Sequence, residues 1–275
     1  MRGSAERIAL RLSALVAVLM GGAAAAGLAF HDLYRDNALV TASWYGNDLV
    51  SLVVATPLLV GAMVGARRGG LRARLVWTGM LLYSLYNAAF YLFGAAFNSL
   101  FLVYVTLFTL SGFALLFALV GLDVDAVADR MRTGRPARGV GAFMVGVSLA
   151  LGGFHGAVSL RYVVTGAVPP MVDAAGLRTH LVGALDLSMV VSVGLLGGVW
   201  LWRRRPWGVI LAVLWNVKGA VYMLALSAAT VSTLLVGPAE AWEQLLLWGP
   251  IGVGCLGASV LLLRALGPVA RQAGD

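Results

Sequence analysis

The chain has 275 residues, 60% of them hydrophobic and 12% charged, with a mean hydropathy of +0.89. A soluble domain carries about 25% charged residues, so this composition leaves too little polar surface to coat a globule in water and excludes that class. The net charge of +8 does not point to nucleic acid, because the arginines fall between apolar segments, where they act as topology signals.

Crossing the hydrocarbon takes about 20 apolar residues. Eight segments qualify, at about 9–30, 48–66, 74–96, 100–121, 139–160, 180–202, 206–231 and 243–266. The first follows Arg2 and Arg7, contains Arg11 and ends in small residues, "GGAAAAGLAF", which is the make-up of a signal peptide. It is expected here to be a retained helix. The 35 glycines suit close helix approach in a membrane. In the first segment Gly22 and Ala26 lie four apart, and in the last Gly254 and Ala258 do so; both faces are expected to pack against other helices. Cys255 is the only cysteine, so there is no disulfide framework and no cysteine metal site.

Charge alternates between the connections. One side carries Arg2, Arg7 and Arg11; Arg67, Arg68, Arg72 and Arg74; Arg130, Arg132, Arg135 and Arg138; Arg203, Arg204 and Arg205; Arg264 and Arg271. The other carries Arg35, Arg161 and Arg178, with Asp32, Asp36, Asp173, Glu240 and Glu243. The positive-inside rule therefore puts both termini in the cytoplasm, and the dominance of alanine, glycine and arginine, by association with GC-biased coding, gives the expectation of a prokaryotic plasma membrane. The longest inner connection, "GLDVDAVADRMRTGRPARG", is amphipathic enough for a short surface helix between two halves. Those halves, 1–134 and 135–275, form a parallel 4+4 tandem repeat in this reading. "NDLVSLVVATPLLVGAMVGARRGG" from Asn47 aligns with "LDLSMVVSVGLLGGVWLWRRRPWG" from Leu185, pairing Asp48 with Asp186. "NAAFYLF" from Asn87 aligns with "KGAVYML" from Lys218, pairing Asn87 with Lys218 and Tyr91 with Tyr222.

The third segment bears Tyr83, Tyr86, Asn87, Phe90, Tyr91, Gly94, Phe97 and Asn98 at helical spacing, one stripe on one face. Hydroxyls and amides are costly in hydrocarbon unless bonded. The stripe is thus either a seam with its polar tips bonded across it or the wall of a cavity. The seventh segment repeats the pattern with Trp215, Lys218 and Tyr222. Lys218 is the only lysine; the other 19 basic residues are arginine. Rises of 1.5 Å per residue put Lys218, Asp186 and Asn87 at about 18, 21 and 20 Å from the inner face.

Lysine, unlike arginine, presents a compact ammonium that can lose its proton when desolvated. A site is therefore expected around Lys218 and Asp186 as an ionisable pair. Asn87, Tyr86, Tyr91, Trp215 and Tyr222 would line it, with Asp48 as the fallback acid. The bland alternatives are a structural ion pair, a snorkelling lysine, and Asp48 or Asp186 as helix caps. His31 and His155 could join the two aspartates around zinc or iron, but no local ligand motif supports a metal. The sequence names no cofactor. The expected fold is all-α. The leading function is binding and movement of a small solute or ion between the halves. An intramembrane enzyme acting on a lipid or quinone-like substrate and a non-catalytic membrane subunit are the alternatives.

Overall fold

The structure, a computed structural model, describes residues 2–131, 135–237 and 239–267. Arg132 and Arg271 lie outside the described residues, as do the side chains of Arg2, Arg135 and Glu240. Among the described residues the fold is helical, with a single isolated bridge between Met131 and Leu266. The long helices are α1 (Arg2–Ala29), α2 (Ala38–Arg67), α3 (Leu71–Gly94), α4 (Phe101–Gly121), α5 (Arg135–Thr165), α6 (Leu181–Trp202), α7 (Pro206–Leu234) and α8 (Leu245–Ala265). The expected short helix of the long inner connection is Val124–Arg130, capped by Asp123, whose carboxylate accepts from the Ala126 N–H at 3.2 Å.

Seven helices are long and apolar enough to cross a membrane, α3 being the exception among the eight expected. The outer surface of the bundle agrees with lipid contact: Leu102, Val163 and Val164 are at least 73% exposed. The chain is a polytopic helical membrane protein. α3 has the length to cross, 24 residues, but Tyr83, Ser84, Tyr86 and Asn87 lower its hydropathy. It can carry them because it is wrapped by protein; Leu75, Trp77, Met80, Leu81, Tyr83 and Tyr86 are fully buried. α3 packs against α2, α4 and α7, and α7 packs against α2, α3, α6 and α8, so these two helices form the centre.

Polar contacts define two ends of the bundle. At one, Glu6 of α1 pairs with Arg74 of α3, and Arg72 Nη2 donates to the Leu266 carbonyl beyond α8 at 2.7 Å. At the other, Asn37 Nδ2 donates to the Ala174 carbonyl between α5 and α6 at 3.0 Å, and Asp36 accepts from the Ala96 N–H just past α3 at 3.0 Å. α3 therefore runs the full length of the bundle.

α2 begins ten residues before the expected position. Asn37 is its cap, accepting from the Val40 N–H at 3.0 Å, so Asp48 lies inside the helix and is not a cap. Asp186 is likewise internal, because α6 begins at Leu181. Each helix has a π turn beside its aspartate, Ser51–Ala55 in α2 and Asp186–Val191 in α6. In α2 the cause is local. Pro57 has no N–H to donate and would clash with the preceding turn of a regular helix, and the widened turn takes up the misfit while Thr56 Oγ1 bonds the Ser51 carbonyl at 2.8 Å. In α6 side chains take carbonyls of the irregular turn: Ser192 Oγ bonds Ser188, and Trp215 Nε1 bonds Val190 at 2.9 Å.

Candidate functional site

Two aspartates organise two polar clusters. Asp48, 2% exposed, accepts from the Tyr34 hydroxyl at 2.5 Å and from the Tyr91 hydroxyl at 2.7 Å. Asn47 Nδ2 donates to Asn87 Oδ1 at 2.9 Å and to the Tyr91 hydroxyl at 3.1 Å. Asn87 Nδ2 in turn reaches Ser51 Oγ at 3.3 Å, and Ser51 Oγ meets the Tyr83 hydroxyl at 3.2 Å. Gly27 makes room for the acid, since a Cβ there would stand 2.0 Å from Asp48 Oδ2. Asn87 and Tyr91 thus belong to the Asp48 cluster rather than to a shared chamber with Lys218. Tyr34, Asn47 and Ser51 are members that the sequence reading missed; none lies on the stripe of α3 or α7.

The second cluster is a chain. Asp186 Oδ1 accepts from the Tyr86 hydroxyl at 2.6 Å, and its Oδ2 lies 3.1 Å from His155 Nε2. His155 Nδ1 lies 2.9 Å from Nε2 of His180, the residue that leads into α6. His180 lines a cavity of about 120 Å³ together with Val40, Trp44, Phe90, Gly94 and Thr179, at the Asn37 end of the bundle. Gly183 lets the His180 ring fold back over α6, because a Cβ there would come within 2.3 Å of the ring. Partial burial, and secondarily the neighbouring His155, lower the His180 pKa below its ordinary 6.5. Among the described residues no group of three or more His, Cys, Asp or Glu side chains is arranged to hold a metal ion. His31 stands apart from Asp48: it is exposed, and its carbonyl accepts from the Tyr45 hydroxyl at 3.2 Å.

Lys218 is 4% exposed, and its Nζ lies 3.6 Å from the centre of the Tyr86 ring and 4.2 Å from that of Tyr222. Those rings meet edge to face at 4.7 Å, so the ammonium occupies an aromatic corner. A desolvated cation–π contact is worth about 2 kcal/mol or more. The expected direct pair with Asp186 is absent: among the described residues the ammonium has neither an ion pair nor a hydrogen bond. Asp186 instead bonds the Tyr86 hydroxyl and the His155 ring, one at each oxygen, while the ammonium faces the Tyr86 and Tyr222 rings. Trp215 is also displaced from its expected role. It braces α6 through Val190 and packs edge-on against Phe143, with ring centres 6.4 Å apart.

A second cavity, about 50 Å³, lies at the arginine-rich end, lined by Met131, Arg138, Trp202, Arg204 and Arg205. Neither cavity is lined by Lys218, Tyr86 or Asp186. No protein-family model, no curated protein and no solved structure matches this chain. The functional reading therefore rests on the chemistry of the two clusters.

Proposed function

We propose that the protein binds a small anionic solute at Lys218, between two four-helix halves, and moves it across a prokaryotic plasma membrane. The observation that supports this best is the state of the Lys218 ammonium: buried, faced by two rings, and without an acceptor among the described residues. A buried cation lacking a hydrogen-bonded partner is costly. A ligand bringing an oxyanion offsets that cost, and the rings of Tyr86 and Tyr222 supply a flat apolar wall beside it. Asp186 bonds the hydroxyl of Tyr86, whose ring faces the ammonium, and so brings a carboxyl group close to the site.

In this proposal α3 is an eighth crossing; its 24 residues extend about 36 Å. Residues 1–134 and 135–275 form the two halves, with Asp48 and Asp186 as counterparts, each beside a π turn. π turns inside helices are frequent at functional sites. Lys218 lines neither of the two cavities described above, and in this proposal the ends of the bundle open in turn to reach it, as in alternating access.

Thiol accessibility tests this without knowledge of the solute. In a Cys255→Ala background, Lys218→Cys and Tyr222→Cys are exposed to a membrane-impermeant, charged methanethiosulfonate in intact cells and in inside-out vesicles. Both positions are expected to react from the aqueous phase on at least one side. If neither reacts from either side, the centre is sealed, and the pair of helices is a structural lock rather than a path.

A further inference from the structure

We infer that His180, His155 and Asp186 form a proton relay from the cavity at the Asn37 end of the bundle to the Lys218 site, so that a proton travels with the anion. The role of the proton as a co-transported ion rests on the anion-binding reading above; the relay itself stands on its own geometry. Three observations support it. The contacts are continuous, at 2.9 Å from His180 to His155 and 3.1 Å from His155 to Asp186. One end is partly open, because His180 lines the 120 Å³ cavity, while His155 and Asp186 are buried. The other end meets the Lys218 corner, because Tyr86 donates its hydroxyl to Asp186 at 2.6 Å and offers its ring face to the ammonium at 3.6 Å. Chains of histidine and carboxylate inside membrane helices are the usual material of proton relays.

The transfer balances without electrons. Take both imidazoles in the tautomer with the proton on Nε2. A proton from water in the cavity binds His180 Nδ1, and His180 releases its Nε2 proton to Nδ1 of His155. His155 releases its own Nε2 proton to Oδ2 of Asp186, which becomes a neutral acid. Both rings finish with the proton on Nδ1 and reset by rotation before the next proton enters. The groups facing Asp186 are Tyr86 from α3, His155 from α5, and Lys218 and Tyr222 from α7; Cys255 of α8 flanks Lys218. Of these, Lys218 feels the change most directly in charge. Neutralising Asp186 removes the fixed anion nearest the ammonium, so an anionic solute no longer meets its repulsion. Acidification on the cavity side therefore strengthens anion binding, which couples the two movements in one direction.

Infrared spectroscopy of the full-length protein in lipid vesicles tests the relay with no solute present. A carboxylic acid band that grows on acidification and vanishes in Asp186→Asn identifies the acceptor. Its hydrogen–deuterium exchange is then followed after rapid mixing with D₂O. His155→Gln keeps a hydrogen-bonding side chain but passes no proton, and it is expected to slow the exchange about a hundredfold. His180→Gln is expected to act in the same direction, while His31→Gln, away from the relay, leaves the rate unchanged. Equal exchange rates in wild type and His155→Gln would overturn the relay, as would an Asp186 band that never appears on acidification. Circular dichroism verifies that His155→Gln folds, and His155→Asn is the substitute if it does not. A sealed Lys218 in the thiol experiment leaves these exchange rates untouched, so the two proposals fail separately.

Discussion

At the residue scale, the choice of lysine over arginine is explained by the size of the corner it fills. Tyr86 and Tyr222 are both buried, and the ammonium sits 3.6 and 4.2 Å from their ring centres. A planar guanidinium needs more room and five acceptors. Lys218→Arg is expected to overpack the corner and lower stability by about 1–3 kcal/mol. Lys218→Met keeps the stem and removes the charge. Removing a buried charge that has no hydrogen-bonded partner relieves its desolvation cost, which offsets the lost cation–π contacts, so its melting temperature should equal or exceed that of the wild type. Thermal unfolding of the three proteins in the same detergent checks the order Met, Lys, Arg. A methionine variant that unfolds well below wild type would mean that the ammonium holds the helices together. The sequence makes Lys218 conspicuous by its uniqueness and places Asp186 near it in depth. It does not reveal that Tyr86 bonds Asp186 and faces Lys218 at once, because spacing along α3 gives the face of a side chain but not its reach across to α6.

At the scale of elements, helical period carries well and helix ends carry poorly. Tyr83, Tyr86, Asn87 and Tyr91 share the buried face of α3 as their spacing requires, whereas Phe97 falls beyond the helix and is 74% exposed. The start of α2 is misplaced in the sequence because "YGND" and "RDNA" offer equally good caps; the structure uses Asn37 of the second. Thr41, Ser43 and Tyr45 make the first turns too polar to read as membrane-spanning. His180 is legible only as a loop residue, since what gives it a role is Gly183 beneath its ring. Small-residue pairs show the same limit. Gly254 meets its expectation, with a Cβ there 2.7 Å from the Phe143 ring, but Gly22 faces open space and is exposed. Gly254→Leu is therefore expected to cost about 1–3 kcal/mol, and Gly22→Leu to leave stability unchanged. Unfolding of each variant in denaturant gives the comparison. A silent Gly254→Leu would mean that α8 stands farther from α5 than this contact requires.

At the scale of the whole molecule, the arginine pattern and the polar ties between helices are independent observations, and both support the proposal that α3 crosses the membrane. Sixteen arginines fall on one side of the expected topology and three on the other, which works only with an even number of crossings. α3 runs from the end where Arg72 and Arg74 bond Leu266 and Glu6 to the end where the Ala96 N–H bonds Asp36. Its hydropathy is low because its lipid-facing share is small, not because it lies on the surface. In the proposed pairing of α2 with α6 each partner carries an acid beside a π turn, while the tyrosine hydroxyls of the membrane helices that address the two acids both come from α3, Tyr91 for Asp48 and Tyr86 for Asp186. The decisive measurement is the sidedness of the two loops that flank α3. With Cys255 replaced by alanine, a cysteine at Arg68 is expected to stay unlabelled by an impermeant maleimide in intact cells and to react in inside-out vesicles. A cysteine at Phe97 is expected to behave in the opposite way. If both label from the same side, α3 does not cross, the two termini lie on opposite faces, and the two halves no longer share one orientation. Opposite labelling leaves eight crossings and puts the His180 cavity on the outer face, where the relay would draw its protons from outside the cell.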